Sequence, residues 1–348
     1  MTKICSQLKG AMSSALPSPR FGPTYSPAMV RVIAHCMAAI SALDARISVS
    51  PMMPGWRTRA SWSGYTAALQ WQGFELDEID VYSWGCGLKL PGRPLLHTRL
   101  DPFGAFAAWQ DMLATGPGPD WRATLPPAIG EVVEASDHPA LIRALDLVRQ
   151  WARVDSTAAA WLGAPMILTG LSLTSTPLPC LVVGAKAFRL KRAPDEVDWI
   201  RAIKALTGAA RAGLDRLDAL ERHYRRGVHV LTQSYRPGAL PELLALVQVR
   251  PLLSPQSVAN ALGLSVAGAS KLLERAVAAK LMVEIGQRKS WRRFLPPDLA
   301  IRLGLAEPRR GRPPLSPLAL PGNHAVVAAV EALDQVMAKI NRMLERPS

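Results

Sequence analysis

The sequence predicts a mainly α-helical chain: a helical N-terminal domain, then a smaller helix–turn–helix unit closed by a two-stranded hairpin. Three observations carry that prediction. Apolar residues recur at three- and four-residue steps through most patterned segments, as in helices with one buried face. Residues 254–273 set cap residues, small residues and a glycine at the spacing of two short helices crossing at a sharp turn. The net charge of +14 is concentrated, because residues 186–315 hold 24 basic and 11 acidic groups against 17 and 16 in the rest. A field of one sign on one half favours a polyanionic partner; the competing reading is an Arg-rich composition that serves solubility alone.

A length of 348 residues suggests about two domains. With 49% apolar and 20% charged residues there is material for a sizeable core, and 30 Pro with 25 Gly fall short of low complexity. Collagen, coiled-coil rods and wholly disordered chains are excluded. The cysteines Cys5, Cys36, Cys86 and Cys180 lie far apart with no C-x-x-C pair, which suits a reducing cytosol rather than a disulfide framework or zinc knuckle. The N-terminus has basic residues but no apolar h-region, so it does not read as a secretory signal. Residues 156–185 carry no charge, yet Pro165, Pro177 and Pro179 interrupt them. They are expected to form a buried helix end and a loop rather than a membrane span. A cytoplasmic protein with no membrane partner is expected.

Residues 1–27 are rich in Ser, Pro and Gly and are expected to be a disordered tail. A helical domain of unknown function spans 28–236. Its first helix begins at Ala28 and places Ile33, Met37, Ile40, Leu43 and Ile47 on one face until Pro51 and Pro54 stop it. A second runs from about Arg57 to Trp71, with Gly73 near its end. Phe74 to Val81 alternate apolar and acidic residues and fit either a short strand or an amphipathic turn. Helices are expected again at about 103–114, 138–154 and 195–226, the last long or split, with Leu206, Leu217 and Leu220 inward and arginines outward. Residues 237–305 form a compact second unit, 306–322 a basic Pro/Gly-rich linker, and 323–346 a C-terminal helix. That helix spaces Val326, Val330, Leu333, Met337, Ile340 and Leu344 at 4-3-4-3-4, a seam that serves equally for a homodimer through residues 323–344 or for packing on its own chain.

In the second unit Ser254 can cap the first helix, and Pro255 fits its first turn. Val258 and Leu262 face inward, and Ala259 is small where another helix must cross. Gly263 supplies the positive φ of the turn. Ser265 caps the second helix, whose inner face is Ala269 and Leu272. Residues 281–285 then read as a strand, 286–290 as a turn and 291–295 as the returning strand. A basic hairpin after a helix–turn–helix is a wing, so the unit is expected to be a winged helix-turn-helix. Trp291 and Phe294 would anchor the hairpin. The expected DNA contacts are Ser265, Ala267, Ser270, Lys271 and Arg275 on the second helix and Arg288, Lys289, Arg292 and Arg293 on the wing. The Arg-Gly-Arg-Pro tract of residues 310–313 resembles the AT-hook of chromatin proteins, which implies minor-groove contacts for Arg310 and Arg312. The second helix exposes Val266, Ala267, Gly268, Ser270 and Lys271 and offers no Arg, Asn or Gln before Arg275, so sharp base readout is not expected.

The runs Leu178–Leu181, Ala210–Leu220 and Leu240–Leu246, the helix–turn–helix, and Leu69–Asp80 together resemble an uncharacterised family of rhizobial and other alphaproteobacterial proteins. Its members join an N-terminal domain of unknown function to a C-terminal helix-turn-helix DNA-binding domain. The resemblance covers roughly residues 30–315 and implies DNA binding, with no catalytic residue. The layout is also similar to Fic proteins, which transfer AMP to hydroxyls. The His-Pro-Phe and Gly-Asn-Gly-Arg tracts of that chemistry are missing; the nearest pieces are His97–Gly104 and Pro321–His324.

Other enzymatic signals are thin. The six histidines form no H-x-H or H-x-x-x-H pair, and no P-loop or G-x-S-x-G elbow occurs. Gly85, Gly87 and Gly92 lack the Lys and helix of a phosphate loop. Glu75, Asp77, Glu78 and Asp80 could hold a metal but fit a solvated edge better. Trp56, Trp62, Trp71 and Trp84, with Tyr65 and Tyr82, fit core packing or a pocket where the N-terminal domain takes an unknown ligand or protein. The expected function is double-stranded DNA binding in transcription regulation or mobile-replicon maintenance, without catalysis, cofactor or metal. The competing reading is a protein-interaction module with a degenerate Fic-like body.

Overall fold

The computed structural model describes residues 25–90, 101–126, 129, 137–182, 186–285, 292–307, 331 and 335. Those residues are mainly helical, as the periodicity implies, with two short strands among them. Helix α1 (Pro27–Val49) starts at Ser26, whose hydroxyl accepts from the Met29 N–H at 3.1 Å. Helix α2 (Met53–Gln72) ends at Gly73 in the left-handed region. The alternating run after it resolves as α3 (Glu78–Gly85). Asp77 precedes α3, and its N–H donates to Asp80 at 2.8 Å. Two acidic residues at a helix N-terminus satisfy orphan donors and offset the positive end of the helix dipole, so the run leads into a helix rather than the strand or turn expected.

Next come α4 (Phe106–Thr115), α5 (Ala140–Val154), α6 (Ala159–Gly170) and the short α7 (Lys186–Leu190). The charge-free segment is thus a buried helix followed by a loop. Helix α8 (Glu196–Thr232) is unbroken over 37 residues, roughly 55 Å. Asp195 and Asp198 cap it reciprocally.

Helices α1 and α8 lie side by side in the same direction. Ser26 meets Glu196 at one end, and Arg46 reaches Asp218 (2.9 Å) and Glu221 (3.1 Å) at the other. By length and composition α1 could cross a membrane, with a mean hydropathy of 1.5. In the fold its Cys36, Ile40 and Leu43 are fully buried, together with Ile203, Leu206 and Leu217 of α8. Of the aromatic set, Trp56, Trp62, Tyr65 and Tyr82 are core residues, Trp71 is half-buried and Trp84 is 43% exposed. The Trp56 indole N–H donates to the Gly213 carbonyl at 2.8 Å, and that of Trp109 to Leu162 at 2.9 Å. Gly64 is forced by close approach: a Cβ there would lie 2.1 Å from the Pro179 carbonyl oxygen.

The C-terminal unit comprises α9 (Leu240–Val249), α10 (Pro255–Leu262), α11 (Val266–Ala278), β1 (Val283–Glu284), β2 (Phe294–Leu295) and α12 (Pro297–Arg302). Its core gathers Leu240, Leu243, Val258, Leu273, Leu281 and Phe294 with Leu231 of α8. Leu252, Leu295 and Leu299 belong instead to the core of the N-terminal body. Charged contacts join the two. Arg59 of α2, fully buried, meets Asp298 of α12 at 3.0 Å, and Arg302 meets Glu78 at 2.7 Å and the Tyr82 hydroxyl at 3.1 Å. His223 of α8 lies 2.9 Å through its Nε2 from the Leu281 carbonyl. Burial pushes the pKa of this histidine down, so it stays neutral and Nε2–H is the donor.

A candidate nucleic-acid interface

The interface is built from α10 upward. Ser254 and Ser257 cap one another, the Ser257 N–H donating to Ser254 Oγ at 3.0 Å and the Ser254 N–H to Ser257 Oγ at 2.8 Å. Pro255 occupies the first turn, where no N–H partner is needed. Gly263 has φ +66°, and the N–H of Leu264 returns to the Ala259 carbonyl at 3.0 Å. Ser265 accepts from the Gly268 N–H at 3.1 Å, starting α11 only three residues after α10 ends. Val258, Ala259, Ala269, Leu272 and Leu273 turn inward. Val266, Ala267, Lys271, Glu274 and Arg275 are exposed, and Ser270 is half-buried.

After α11 the chain is held to the helix end by N–H donation from Leu281 and Met282 to the Ala276 carbonyl. This delays the strand, which begins at Val283 rather than at Leu281. β1 and β2 pair antiparallel, with Val283 opposite Leu295 and Glu284 opposite Phe294; the Ile285 N–H to the Arg293 carbonyl (2.8 Å) extends the ladder. Leu253, between α9 and α10, adds a third position by exchanging two hydrogen bonds with Phe294, at 3.0 and 2.9 Å. One residue of extended chain bounded by Pro251 and Ser254 has no readable periodicity, so sequence reasoning missed it.

Arg292, expected to contact phosphate, is paired within the unit. Its guanidinium grips Glu284 with two parallel bonds of 2.7 and 2.9 Å, reaches Glu274 of α11 at 2.6 Å and Ser270 at 3.2 Å, and lies 5.2 Å from the Phe294 ring centre. The carboxylates raise the Arg292 pKa further, and Arg292 holds Glu284 below the usual carboxylate range. Arg292 therefore braces the hairpin against the second helix. Glu274 and Glu284 are the interface residues the sequence did not single out; their one signal was acidity within a basic stretch.

Arg293 is half-buried, its Nε donating to the Lys89 carbonyl at 3.2 Å, and burial lowers its pKa. Arg275 is exposed but donates through Nη1 to the Pro237 carbonyl at 2.9 Å. Lys271 has no ion-pair partner among the described residues. Arg288, Lys289, Trp291, Arg310 and Arg312 lie outside the described residues, as do nearly all of residues 308–348.

Elsewhere the chemistry is quiet. Burial pushes the Cys86 and Cys180 thiols up to about 12, so neither is a thiolate at neutral pH. Glu78 bonds Ser63 and Arg302, and no cluster of three or more metal-ligating side chains occurs among the described residues. A cavity of about 550 Å³ on the body is lined by Arg57, Thr115, Trp121, Thr169 and Thr176, away from the tryptophans considered from sequence. No family model matches the chain, and no curated protein matches it.

Proposed function

We propose that the chain binds double-stranded DNA through a winged helix-turn-helix at residues 237–305 and acts in transcription regulation or mobile-replicon maintenance. One observation carries this reading. Helix, extended residue, helix, three-residue turn, helix and antiparallel hairpin follow in the winged-helix order, and Leu253, Phe294 and Glu284 lie side by side in one small sheet. The first turns of α11 face solvent, as a helix entering a major groove requires. On this reading Lys271, Arg275, Ser265 and Ser270 meet phosphates beside the groove, Arg275 giving up the Pro237 carbonyl and Ser270 the Arg292 guanidinium to do so, with Ala267 against base methyls or sugar. Arg288 and Lys289, between β1 and β2 in sequence, and Arg310 and Arg312, after α12 in sequence, supply the remaining charge on this reading. Arg292 sets the angle of the hairpin, with Arg293 beside it.

Val266, 46% exposed, with Ala267 and Gly268 gives the start of α11 an apolar surface. That favours the second reading, in which the same helix docks on a protein and the N-terminal body is a degenerate Fic-like scaffold. Titrating the full chain into a labelled random duplex at several salt concentrations decides between them. The DNA reading expects a steep fall in affinity with salt, and a slope shallower by about 2 in the Arg288→Ala, Lys289→Ala variant. No binding at low salt, or an unchanged slope, would leave only the protein-docking reading.

A further inference from the structure

We infer that residues 323–344 dock as an amphipathic helix in a groove of their own chain, between the end of α11, β1 and α12. The groove is a cavity of about 570 Å³ with an apolar floor of Val277, Met282, Val283, Ile301 and Ala306. Ile301 is 39% exposed there, as is Leu305 one turn further on. The charges at its margin are mixed, Arg226 and Lys280 with Glu307 and with Glu284, which Arg292 already holds. An apolar floor under a mixed rim suits an apolar helix face better than a polyanion.

The chain itself points to the occupant. Glu307, inside the expected linker of residues 306–322, lines the groove. Fifteen residues, five of them Pro, separate Glu307 from Asn323; a tether of that length reaches about 20 Å as a coil and about 45 Å if fully extended by its prolines, and raises the effective concentration of the segment at the groove. The apolar pattern of the segment also fits a groove better than a coiled coil. Besides the seam from Val326 to Leu344, Val327, Val336 and Met343 occupy the flanking heptad positions where paired helices carry opposite charges. Only Asp334 among those six flanking positions is charged. The stripe is thus the wide one of a helix packed on a globular surface. Glu331 and Gln335, the two described residues of this segment, are helical and exposed, and both fall on the face opposite the seam.

The test is hydrogen exchange by mass spectrometry on the full chain, at two widely separated protein concentrations, with the oligomeric state measured at each. Leu333→Asp with Met337→Asp spoils the seam without touching either described core. Ile301→Asp spoils the groove at an exposed position. The seam variant is expected to speed exchange in 277–284 and 297–307 by roughly tenfold, and Ile301→Asp to do the same for 323–344, in a monomer at both concentrations. Unchanged exchange in either variant overturns the proposal. Protection that appears only where the chain is dimeric also overturns it, because a second copy then supplies the helix.

Discussion

The brace at Arg292 makes the sharpest prediction, because it separates a structural role from a phosphate contact. The perturbation is Arg292→Met, which keeps the stem over Phe294 and removes the guanidinium. Side-chain exposures of 22% for Arg292, 31% for Glu284 and 54% for Glu274 place the Glu284 pair between a shielded and a surface ion pair. We expect about 1–2 kcal/mol from that bidentate pair and about 0.5 kcal/mol from Glu274. A double-mutant cycle of Arg292→Met and Glu284→Gln by urea unfolding reads the first term directly. The folded-state pKa of Glu284 is depressed, so its contribution is complete above the ordinary carboxylate value of about 4.3 and lost as pH falls through the depressed one. The coupling should therefore be present at pH 7 and vanish in strong acid. In duplex binding, Arg292→Met should weaken affinity with the salt slope unchanged, whereas a direct phosphate contact would reduce the slope by about 0.9. Glu284→Gln discriminates by sign: simple electrostatics expects tighter binding from the lost negative charge, and the brace expects weaker. Zero coupling in the cycle, or tighter binding by Glu284→Gln, would refute the assignment.

Three further outcomes follow from the body and its junction with the C-terminal unit. Asp298→Ala leaves the fully buried Arg59 guanidinium without its partner and should cost about 3 kcal/mol, more than Arg59→Met, which removes the charge at similar volume; equal costs in urea unfolding would contradict this. His223 is buried with a lowered pKa, so below about pH 6.5 the unfolded chain takes a proton that the folded chain refuses, and stability falls with acidification; His223→Gln should remove that part of the pH dependence of the melting temperature. Gly64→Ala would put a Cβ 2.1 Å from a backbone oxygen that cannot swing aside, and should lower stability by several kcal/mol in urea unfolding, whereas Gly208→Ala, exposed inside α8 with nothing near its Cβ, should raise it by about 0.5–1 kcal/mol.

The fold was legible where one residue type has one physical use. Gly73, Asp195, Pro255, Gly263 and Ser265 mark element ends by capping or by φ, and the structure places each at such an end, whereas Ser26 and Pro27, expected within the disordered tail, cap and open α1, and residues 1–24 of that tail lie outside the described residues. The buried faces of α1 and α8 follow the three- and four-residue steps. Phe74 to Val81 read as a short strand or an amphipathic turn and the end of the run is neither, because Asp77 and Asp80 open a helix at Glu78 and their alternation with apolar residues hid the cap. The parallel pairing of α1 with α8 was invisible, since Arg46 and Glu221 lie 175 residues apart. The Leu253–Phe294 bridge was hidden for the same reason.

The charge excess was legible only as a sum, and the structure divides it in a way that changes the argument. Arg216 is enclosed, burial and the neighbouring Arg302 lowering its pKa. Arg302 is held by Glu78, Arg292 by Glu284 and Glu274, Arg201 and Lys191 by Asp198, and Arg225 by Glu221. The cations on α11 are Lys271 and Arg275, and the exposed carboxylate of Glu274 lies between them in sequence. The helix that would enter the groove thus brings little net charge and no base-reading side chain before Arg275. Under the DNA reading, affinity then rests on the hairpin turn and the basic tract, and specificity on how the brace aims that turn. Fusing or deleting residues 308–315 should change affinity uniformly across sequences, while loosening Arg292 should blur discrimination between them.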